Sequence, residues 1–279
     1  MSSMPTPCSG ITSHRRKRAA VQRSATRSCR AFTLIELLVV VAIIGVLSAM
    51  ILPALGKAKA TARKASCLSQ LKQWNFALMM FAHDNEDFIP RESFIPGGTT
   101  INLWAQVRNP LAHDVWYNTL PEYAHSRRAS AYAPEAVRAD FYKPGNLFHC
   151  PSATFPKGSG VSEVAYFSYA MNSKLILNPF RSIKLGSILE PASTVTFLDN
   201  RLENDPKVDE KQEKDNLGQP SAYASRFVTR HGQSGVLAFA DGHVDQLSGP
   251  EVVQDGWAAF PQTRVIWTVD PGVDPNRTN

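Results

Sequence analysis

The chain has 279 residues, of which 43% are apolar and 19% are charged. It is therefore long enough for one sizeable folded domain with an appendage, and its composition excludes a disordered or fibrous protein. Residues 1–31 hold seven Lys and Arg and no Asp or Glu, so the rest of the chain carries −1 of the formal net charge of +6. The basic charge is confined to an N-terminal tail, and it gives no reason to expect nucleic-acid binding by the folded part.

An apolar run follows the basic tail. From Phe32 to Leu55 the only ionisable residue is Glu36, and at about 1.5 Å per residue a helix of this length crosses a hydrocarbon core of about 30 Å. The preceding basic residues predict that the N-terminus stays in the cytoplasm and the remainder lies outside. A secretory signal cut after residues 48–50 (Ser-Ala-Met) is an alternative that the sequence leaves open.

Glu36 is unusual inside such a run. A carboxylate in the middle of a membrane helix costs about 2.5–3.5 kcal/mol, so it either lies at the level of the lipid headgroups or has a positively charged partner. A cut between Ala31 and Phe32 would create an ammonium group about one helical turn away, in the same chain or in a neighbour shifted along a bundle. Both interpretations are open at this point.

Residues 32–47, F-T-L-I-E-L-L-V-V-V-A-I-I-G-V-L, together with Pro53 further along, resemble the N-terminus of type IV prepilins and type II secretion pseudopilins. The resemblance implies cleavage by a prepilin peptidase between Ala31 and Phe32, where the family usually has Gly before the cut, and N-methylation of Phe32. It also implies a homo- or hetero-polymer in which Glu36 meets the Phe32 amine of an adjacent subunit. The implied location is the bacterial inner membrane, in contact with its lipid, with the C-terminal domain on the extracytoplasmic side.

A second helical segment follows Pro53, which should kink the helix or locally melt it because proline lacks the amide donor. Apolar residues then recur at spacings of four, three, four and three, which predicts one buried helix face. These residues are Cys67, Leu71, Trp74, Leu78 and Phe81. We expect the helix to end near His83.

An acidic cluster, H-D-N-E-D-F-I-P, follows the predicted end of the helix. Carboxylates at Asp84 and Asp87 could hold calcium through oxygen ligands. A solvated helix end with polar caps is the alternative. The sequence indicates no other cofactor.

Four cysteines are present, and Cys8 and Cys29 lie in the predicted leader. Cys67 and Cys150 remain in the mature chain, where an extracytoplasmic location permits a single disulfide between them. Two free buried thiols are the alternative. No CxxC occurs, and the spacings do not indicate a zinc site.

Residues 91–150 show little periodicity and are predicted to form loops and short helices such as P-E-A-V-R-A-D-F-Y. Later segments rich in β-branched and aromatic residues predict strands. These segments are 163–172, 191–199, 225–231, 235–247 and 263–269. Residues 201–220 are strongly charged and are expected to form a mobile, exposed loop. The fold class predicted is α+β, a long N-terminal helix packed on an antiparallel sheet as in pilins.

The stretch R-H-G-Q-S-G-V-L-A-F-A-D-G-H-V-D resembles the H-x9-D-G region found near the C-terminus of many prepilin-like proteins, with His231, Asp241 and Gly242 as its motif. The Asp-Gly pair between two apolar runs predicts a type I′ hairpin turn. His231, Asp241 and His243 are also a conceivable metal or hydrolase set. If residues 232–235 form a tight turn, however, Asp241 lies about 16 Å from His231 and the two do not touch.

These patterns predict four segments. They are a leader (1–31), a transmembrane half-helix (32–55), an amphipathic half-helix (56–84) and a globular domain (85–279) that contains the H-x9-D-G region (225–247). The function predicted is that of a structural subunit, not an enzyme, whose partners are prepilin peptidase and other pilin or pseudopilin subunits. A monomeric membrane-tethered ligand- or metal-binding protein is the alternative, and an envelope hydrolase is a third hypothesis that no nucleophile-elbow motif supports.

Overall fold

The computed structural model describes residues 33–94, 102–175 and 183–277. The chain divides into two compact units, one that ends at Ile51 and one that begins at Leu52. The predicted leader and Phe32 lie outside the described residues. Within the described residues the fold is a long helix followed by a five-stranded sheet, so the predicted α+β class is confirmed.

The long helix α1 runs from Leu34 to Asp84, one residue beyond the predicted end. It continues as helix through Pro53, so the chain is not melted there. A proline in a helix interior removes a single backbone hydrogen bond, and the flanking turns can keep their own. The kink at Pro53 stays a prediction.

The C-terminal half of α1 buries one face, as its apolar spacing predicts. Cys67, Leu71, Trp74 and Leu78 are fully buried, and Phe81 is half-buried against the same core. Trp74 sits at the centre, with ring centroids 5.2 Å from Trp116 and 5.0 Å from Phe148. The predicted helix face is therefore confirmed as a core element.

Residues 102–142 form loops and short helices, as predicted. The helices are α2 (Trp104–Val107), α3 (Trp116–Tyr123) and α4 (Glu135–Arg138), with 3₁₀ turns at Pro110–Ala112, Ala129–Tyr132 and Ala139–Tyr142. Further 3₁₀ turns occur at Leu185–Ser187 and Ala224–Arg226, and a short helix α5 spans Gly249–Val252. The aromatic side chains of the segment 102–142, notably Trp104, Trp116 and Phe141, pack in the same core as α1.

The main sheet has the order β3-β1-β2-β4-β5. Its strands are β1 (Tyr169–Asn172), β2 (Val195–Asp199), β3 (Ser221–Ala222), β4 (Ser234–Phe239) and β5 (Val244–Ser248), and a separate pair is formed by β6 (Val253–Gln254) and β7 (Trp257–Ala258). The pairs β1–β2, β2–β4 and β4–β5 are antiparallel. The two-residue strand β3 pairs with β1 in parallel, so the sheet is mixed, which differs from the fully antiparallel sheet predicted.

Two predicted strands are wrong. Residues 225–231 begin in a 3₁₀ turn and pair with the sheet only at the bridge between Asn200 and Phe227, while residues 263–269 pair only at the bridge between Thr194 and Ile266. The side-chain amide of Gln212 donates to the carbonyl oxygens of Ala224 and Phe227, at 3.3 and 3.0 Å. A side chain thus takes the backbone acceptors that a neighbouring strand would otherwise use.

The charged segment 201–220 is a loop, as predicted, and it is only partly exposed. Charged residues such as Glu203, Lys211 and Asp215 are exposed, whereas Leu202, Gln212 and Gln219 are buried. The Gln212 side chain makes its hydrogen bonds to the surrounding backbone, which lets a polar residue lie inside the domain.

The turn between β4 and β5 also differs from the prediction. The amide of Gly242 donates to the carbonyl of Phe239 at 2.9 Å, and Gly242 has φ +99°, whereas Asp241 is not among the residues with positive φ. A type I′ turn needs positive φ at both central residues. The loop Ala240-Asp241-Gly242 is instead a type I turn followed by a glycine bulge, so glycine is required at position 242 alone.

Residues 146–150 are attached to α1 by a disulfide and by side-chain hydrogen bonds. Cys67 and Cys150 form a disulfide, with their Cα atoms 5.0 Å apart. One and two turns further along α1, Gln70 and Trp74 donate from their side chains to the carbonyls of Asn146 and Leu147. The disulfide therefore closes a set of contacts that hold an irregular segment on the helix.

We predict that replacing both Cys67 and Cys150 by serine lowers the free energy of unfolding by roughly 2–5 kcal/mol, because the bridge closes a long loop in the unfolded chain. The sequence separation is 83 residues. Urea unfolding of the full chain in detergent, followed by tryptophan fluorescence, measures this loss. The variant with Cys8 and Cys29 replaced is the control, and equal midpoints for the two variants would contradict the prediction.

Two buried groups of the domain have pKa values shifted by burial. Burial lowers the pKa of His149 to about 3, so its contribution to stability is present above about pH 6.5 and is lost as the pH falls toward 3. Burial raises the pKa of Glu92 to about 7. Its contribution is present below about pH 4.3 and is lost as the pH rises through 7, so the two groups oppose each other in between.

We predict that His149→Phe removes the loss of stability that His149 causes below about pH 6.5. The substitution keeps an aromatic ring against Phe141 and Phe155. Relative to wild type, the free energy of unfolding of the variant should rise by up to about 1.4 kcal/mol for each pH unit lowered between about 6.5 and 4.5. Urea unfolding at several pH values measures the slope. Glu92→Gln should change the slope in the opposite sense, and curves parallel to wild type for both variants would contradict the assignment.

Candidate functional site

The start of α1 places Glu36 in a capping box. The Glu36 carboxylate accepts from the backbone amide and the hydroxyl of Thr33, at 2.8 and 2.9 Å, and the Glu36 amide donates to the Thr33 hydroxyl oxygen at 3.2 Å. Thr33 is thus the N-cap, and the pair satisfies two backbone amides that the helix leaves without partners. The pattern T-x-x-E was readable in the sequence, so a capping role for Glu36 could have been predicted.

The apolar residues that follow Glu36 are exposed in this chain. Every residue from 37 to 52 is exposed, and a window of 18 residues in α1 has a mean hydropathy of 2.8 with none of it buried. By length and composition the helix can cross a membrane. An exposed apolar surface of this extent requires a bilayer or other protein to cover it.

The predicted cut residues, Ala31 and Phe32, lie outside the described residues. The acidic residues Asp84 and Asp87 lie at the end of α1 and immediately after it. The Asp87 carboxylate accepts from the amide of Gly186 at 2.8 Å, and Asp84 lines a pocket with Asp114. Calcium binding by Asp84 and Asp87 stays a prediction.

The fold brings His231 against the disulfide. Its Nε2 lies 3.5 Å from the Cys150 sulfur and 3.4 Å from Oδ2 of Asp199. Within the described parts of the chain, one group of at least three potential metal ligands has donor atoms that all lie within 4.8 Å of one another. Its members are Cys67, Cys150 and His231. All three residues are buried.

A charged network lies behind this cluster. Asp199 is fully buried, and its Oδ1 lies 3.4 Å from the guanidinium of Arg230 while its Oδ2 accepts from the amide of Val236 at 3.2 Å. Arg230 also forms a salt bridge with Asp205. The buried charges are therefore paired, as burial requires.

This arrangement does not have the geometry of a Cys-His-Asp nucleophile. In such a triad one ring nitrogen faces the nucleophile and the other faces the carboxylate. Here Nε2 of His231 faces both the Cys150 sulfur and the Asp199 carboxylate. The geometry gives converging ligand atoms instead of a proton relay.

Asp241 and Gly242 lie at the other end of β4 from His231. The Asp241 carboxylate accepts from the ring Nδ1 of His243 at 2.6 Å, and the Gly242 carbonyl accepts from Lys72 at 2.7 Å. A Cβ at position 242 would lie 2.9 Å from Cε of Met79. His231 and Asp241 thus have separate partners and do not form a dyad.

The H-x9-D-G motif therefore marks two ends of one strand, and both ends contact α1. Near the first end, His231 touches the disulfide through which Cys67 is attached. Near the second end, Asn75 of α1 donates to the carbonyl of Phe239 at 2.6 Å. The nine intervening residues span strand β4 with its flanking turns, and the motif positions that strand along the helix.

The convergence of Cys67, Cys150 and His231 was missed by sequence reasoning. The cysteines are 83 residues apart, and Cys150 and His231 are separated by 81 residues. Short-range ligand spacings of the kind that mark zinc fingers are therefore absent from the sequence. The T-x-x-E pattern at Thr33 and Glu36, by contrast, is a local signal of a helix cap that the sequence does contain.

Comparison with known proteins bears on the N-terminal segment. Residues 26–52 match the family described as the prokaryotic N-terminal methylation motif. The match does not extend to the H-x9-D-G region, whose resemblance stays a prediction. Neither the curated proteins nor the solved structures with which the chain was compared include a significant match. The chain carries a prepilin-type signal at the start of a long apolar helix.

Proposed function

We propose that this chain is a pilin- or pseudopilin-like structural subunit that is cut by prepilin peptidase and acts by assembling into a filament. The observation that carries the proposal is the methylation motif at residues 26–52, which overlaps the first part of α1, where every residue from 37 to 52 is exposed. The filament is a type II secretion pseudopilus or a type IV pilus-like polymer. The subunit is held in the bacterial inner membrane before assembly, with the domain from Leu52 onward on the extracytoplasmic side.

Physical reasons support an assembly role for the N-terminal helix. Its exposed apolar surface is stable in lipid before assembly and can be covered by the helices of neighbouring subunits afterwards. The Cys67–Cys150 disulfide fits an oxidising extracytoplasmic compartment. A structural subunit of this kind needs no catalytic group.

Glu36 has a specific place in the proposal. Its carboxylate caps the helix through Thr33, yet it still carries a charge that is costly inside a bilayer. The amine created at Phe32 by the cut is the nearest positive group that processing supplies. We assign Glu36 to two roles, the cap of its own helix and the charge partner of the Phe32 amine in an adjacent subunit.

The first experiment determines the N-terminal residue of the protein from native membranes by mass spectrometry. We expect a mature chain that begins at N-methylated Phe32. Ala31→Gly should be processed at least as completely as wild type, whereas the bulky Ala31→Leu should accumulate as precursor. An intact leader in the wild-type protein, or a start after Ala49, would contradict the proposal and favour the tethered or secreted alternatives.

The second experiment separates the two roles of Glu36. Glu36→Gln keeps a side-chain acceptor for the Thr33 amide but removes the charge, and Glu36→Leu removes both. Losing one partner of a buried ion pair costs about 3–5 kcal/mol, so both variants should assemble more than about 100-fold less well while still inserting into the membrane. Chemical crosslinking in membranes measures assembly, and resistance to alkaline extraction measures insertion.

Thr33→Val is the matched control, because it removes the capping hydroxyl and keeps the Glu36 charge. It should insert and assemble. If Glu36→Gln assembles like wild type, the assignment of Glu36 as charge partner of the Phe32 amine is wrong and its role is the helix cap alone. If Glu36→Leu also assembles, the cap is not needed for assembly either.

A further inference from the structure

The cluster formed by Cys67, Cys150 and His231 is not used by the proposed assembly function. We propose that, when the disulfide is reduced, these three side chains bind one Zn²⁺ ion, with a water molecule in the fourth position. The disulfide and the metal are then alternative occupants of the same place. The inference does not depend on processing or on filament assembly.

The spacing of the nitrogen and sulfur atoms matches a tetrahedral site. With metal bonds of about 2.3 Å to sulfur and about 2.0–2.1 Å to nitrogen, tetrahedral angles place sulfur and nitrogen about 3.6 Å apart. Nε2 of His231 lies 3.5 Å from the Cys150 sulfur, and the donor atoms of all three residues lie within 4.8 Å of one another. Breaking the disulfide lets the two sulfurs separate to about 3.8 Å, the corresponding spacing for two sulfur ligands.

The chemistry of the ligands selects the ion. Thiolate sulfur and imidazole nitrogen prefer zinc over calcium or magnesium. A Zn²⁺ ion with two thiolates is neutral, like the disulfide that it replaces. The buried pair of Asp199 and Arg230 therefore meets no change in the charge of its surroundings.

A buried carboxylate lies beside the cluster. Asp199 is held by Arg230 through Oδ1 and by the Val236 amide through Oδ2. Its Oδ2 lies 3.4 Å from Nε2 of His231, the ring nitrogen that would bind the ion. Asp199 therefore places a negative charge next to the proposed site of the cation.

A pocket of about 420 Å³ adjoins the cluster and is lined by His231, Gly232, Arg230, Arg63 and Lys64, among others. A cavity of this size admits a small molecule. The basic side chains favour an anionic thiol as the reductant. The pocket brings such a molecule to His231, whose Nε2 lies 3.5 Å from the Cys150 sulfur.

The chemical steps balance as follows. Two small thiols transfer two electrons and two protons to the disulfide, which becomes two cysteine thiols while the small thiols become a disulfide. Binding of Zn²⁺ then releases two protons as the thiols become thiolates. In the reverse direction, a small-molecule disulfide takes up two electrons and two protons and becomes two small thiols, while the two cysteine thiolates form the disulfide and release Zn²⁺.

The test uses the full chain in detergent, with Cys8→Ser and Cys29→Ser so that the leader cysteines cannot bind metal. A water-soluble phosphine replaces the thiol as the reductant, since thiols themselves bind zinc; it takes oxygen from water and becomes the phosphine oxide. After the phosphine is removed without air, Co²⁺ is added as a spectroscopic probe and Zn²⁺ as its competitor. We expect one equivalent of tetrahedral Co²⁺ with a thiolate charge-transfer band, displaced by Zn²⁺, and no binding to the oxidised protein.

The variants test each ligand. Cys67→Ser and Cys150→Ser should abolish the charge-transfer spectrum seen without these substitutions, and His231→Asn should weaken binding by at least about 10-fold. His243→Asn is the matched control, because His243 lies on the same hairpin and contacts Asp241 instead of the cluster. It should bind Co²⁺ as tightly as the parent, which is the chain with only Cys8→Ser and Cys29→Ser.

Thermal unfolding of the reduced parent with and without Zn²⁺ covers the case in which a variant does not fold. We expect Zn²⁺ to raise the midpoint of the reduced protein and to leave that of the oxidised protein unchanged. Absence of cobalt binding by the reduced parent, equal binding by His231→Asn, or an unchanged midpoint with Zn²⁺ would each overturn the proposal. None of these outcomes bears on processing at Ala31 or on assembly.

Discussion

The packing of the buried face of α1 against the rest of the domain is the interaction on which the other features depend. Trp74 occupies its centre, where it meets Trp116 and Phe148 and donates its indole N–H to the carbonyl of Leu147. A buried tryptophan contributes a large apolar area and leaves one polar group to satisfy, and here the backbone of the segment before Cys150 satisfies it. The disulfide and the β4 strand are then placed along the same helix.

This helix has to meet two different requirements along its length. Its first part exposes apolar residues on every side, whereas the part after about residue 66 packs a mainly apolar face and exposes a mainly polar one, with Phe76 and Met80 as exceptions. The first pattern suits a lipid or a bundle of like helices, and the second suits the core of a water-soluble domain. Because both patterns are properties of the local sequence, the helix and its two halves could be predicted from composition and periodicity alone.

Other features could be predicted less well, for identifiable reasons. The strand expected at residues 225–231 has the right composition, but the side-chain amide of Gln212 donates to the carbonyl of Phe227 within it and to that of Ala224 just before it. The type I′ turn at Asp241 was inferred from a dipeptide, and the backbone there uses a different turn in which only Gly242 needs a positive φ. The cluster of Cys67, Cys150 and His231 depends wholly on tertiary contacts. Local sequence patterns predicted local structure. They could not predict hydrogen bonds from a side chain to the backbone of another segment, because these depend on the tertiary fold.

The attachment of β4 to α1 at both ends limits how the chain can vary in length. Inserting one residue into the strand would turn its buried side chains toward the opposite face of the sheet, since side chains alternate along a strand. Inserting two would restore the faces but displace one end by about 6–7 Å, which exceeds the 5.4 Å rise of a helical turn. Either His231 would lose its contact with the disulfide, or Gly242 would lose its contacts with Lys72 and Met79 of α1. The spacing of nine residues is thus a measure of distance along the helix, fixed by geometry whatever chemistry the histidine performs.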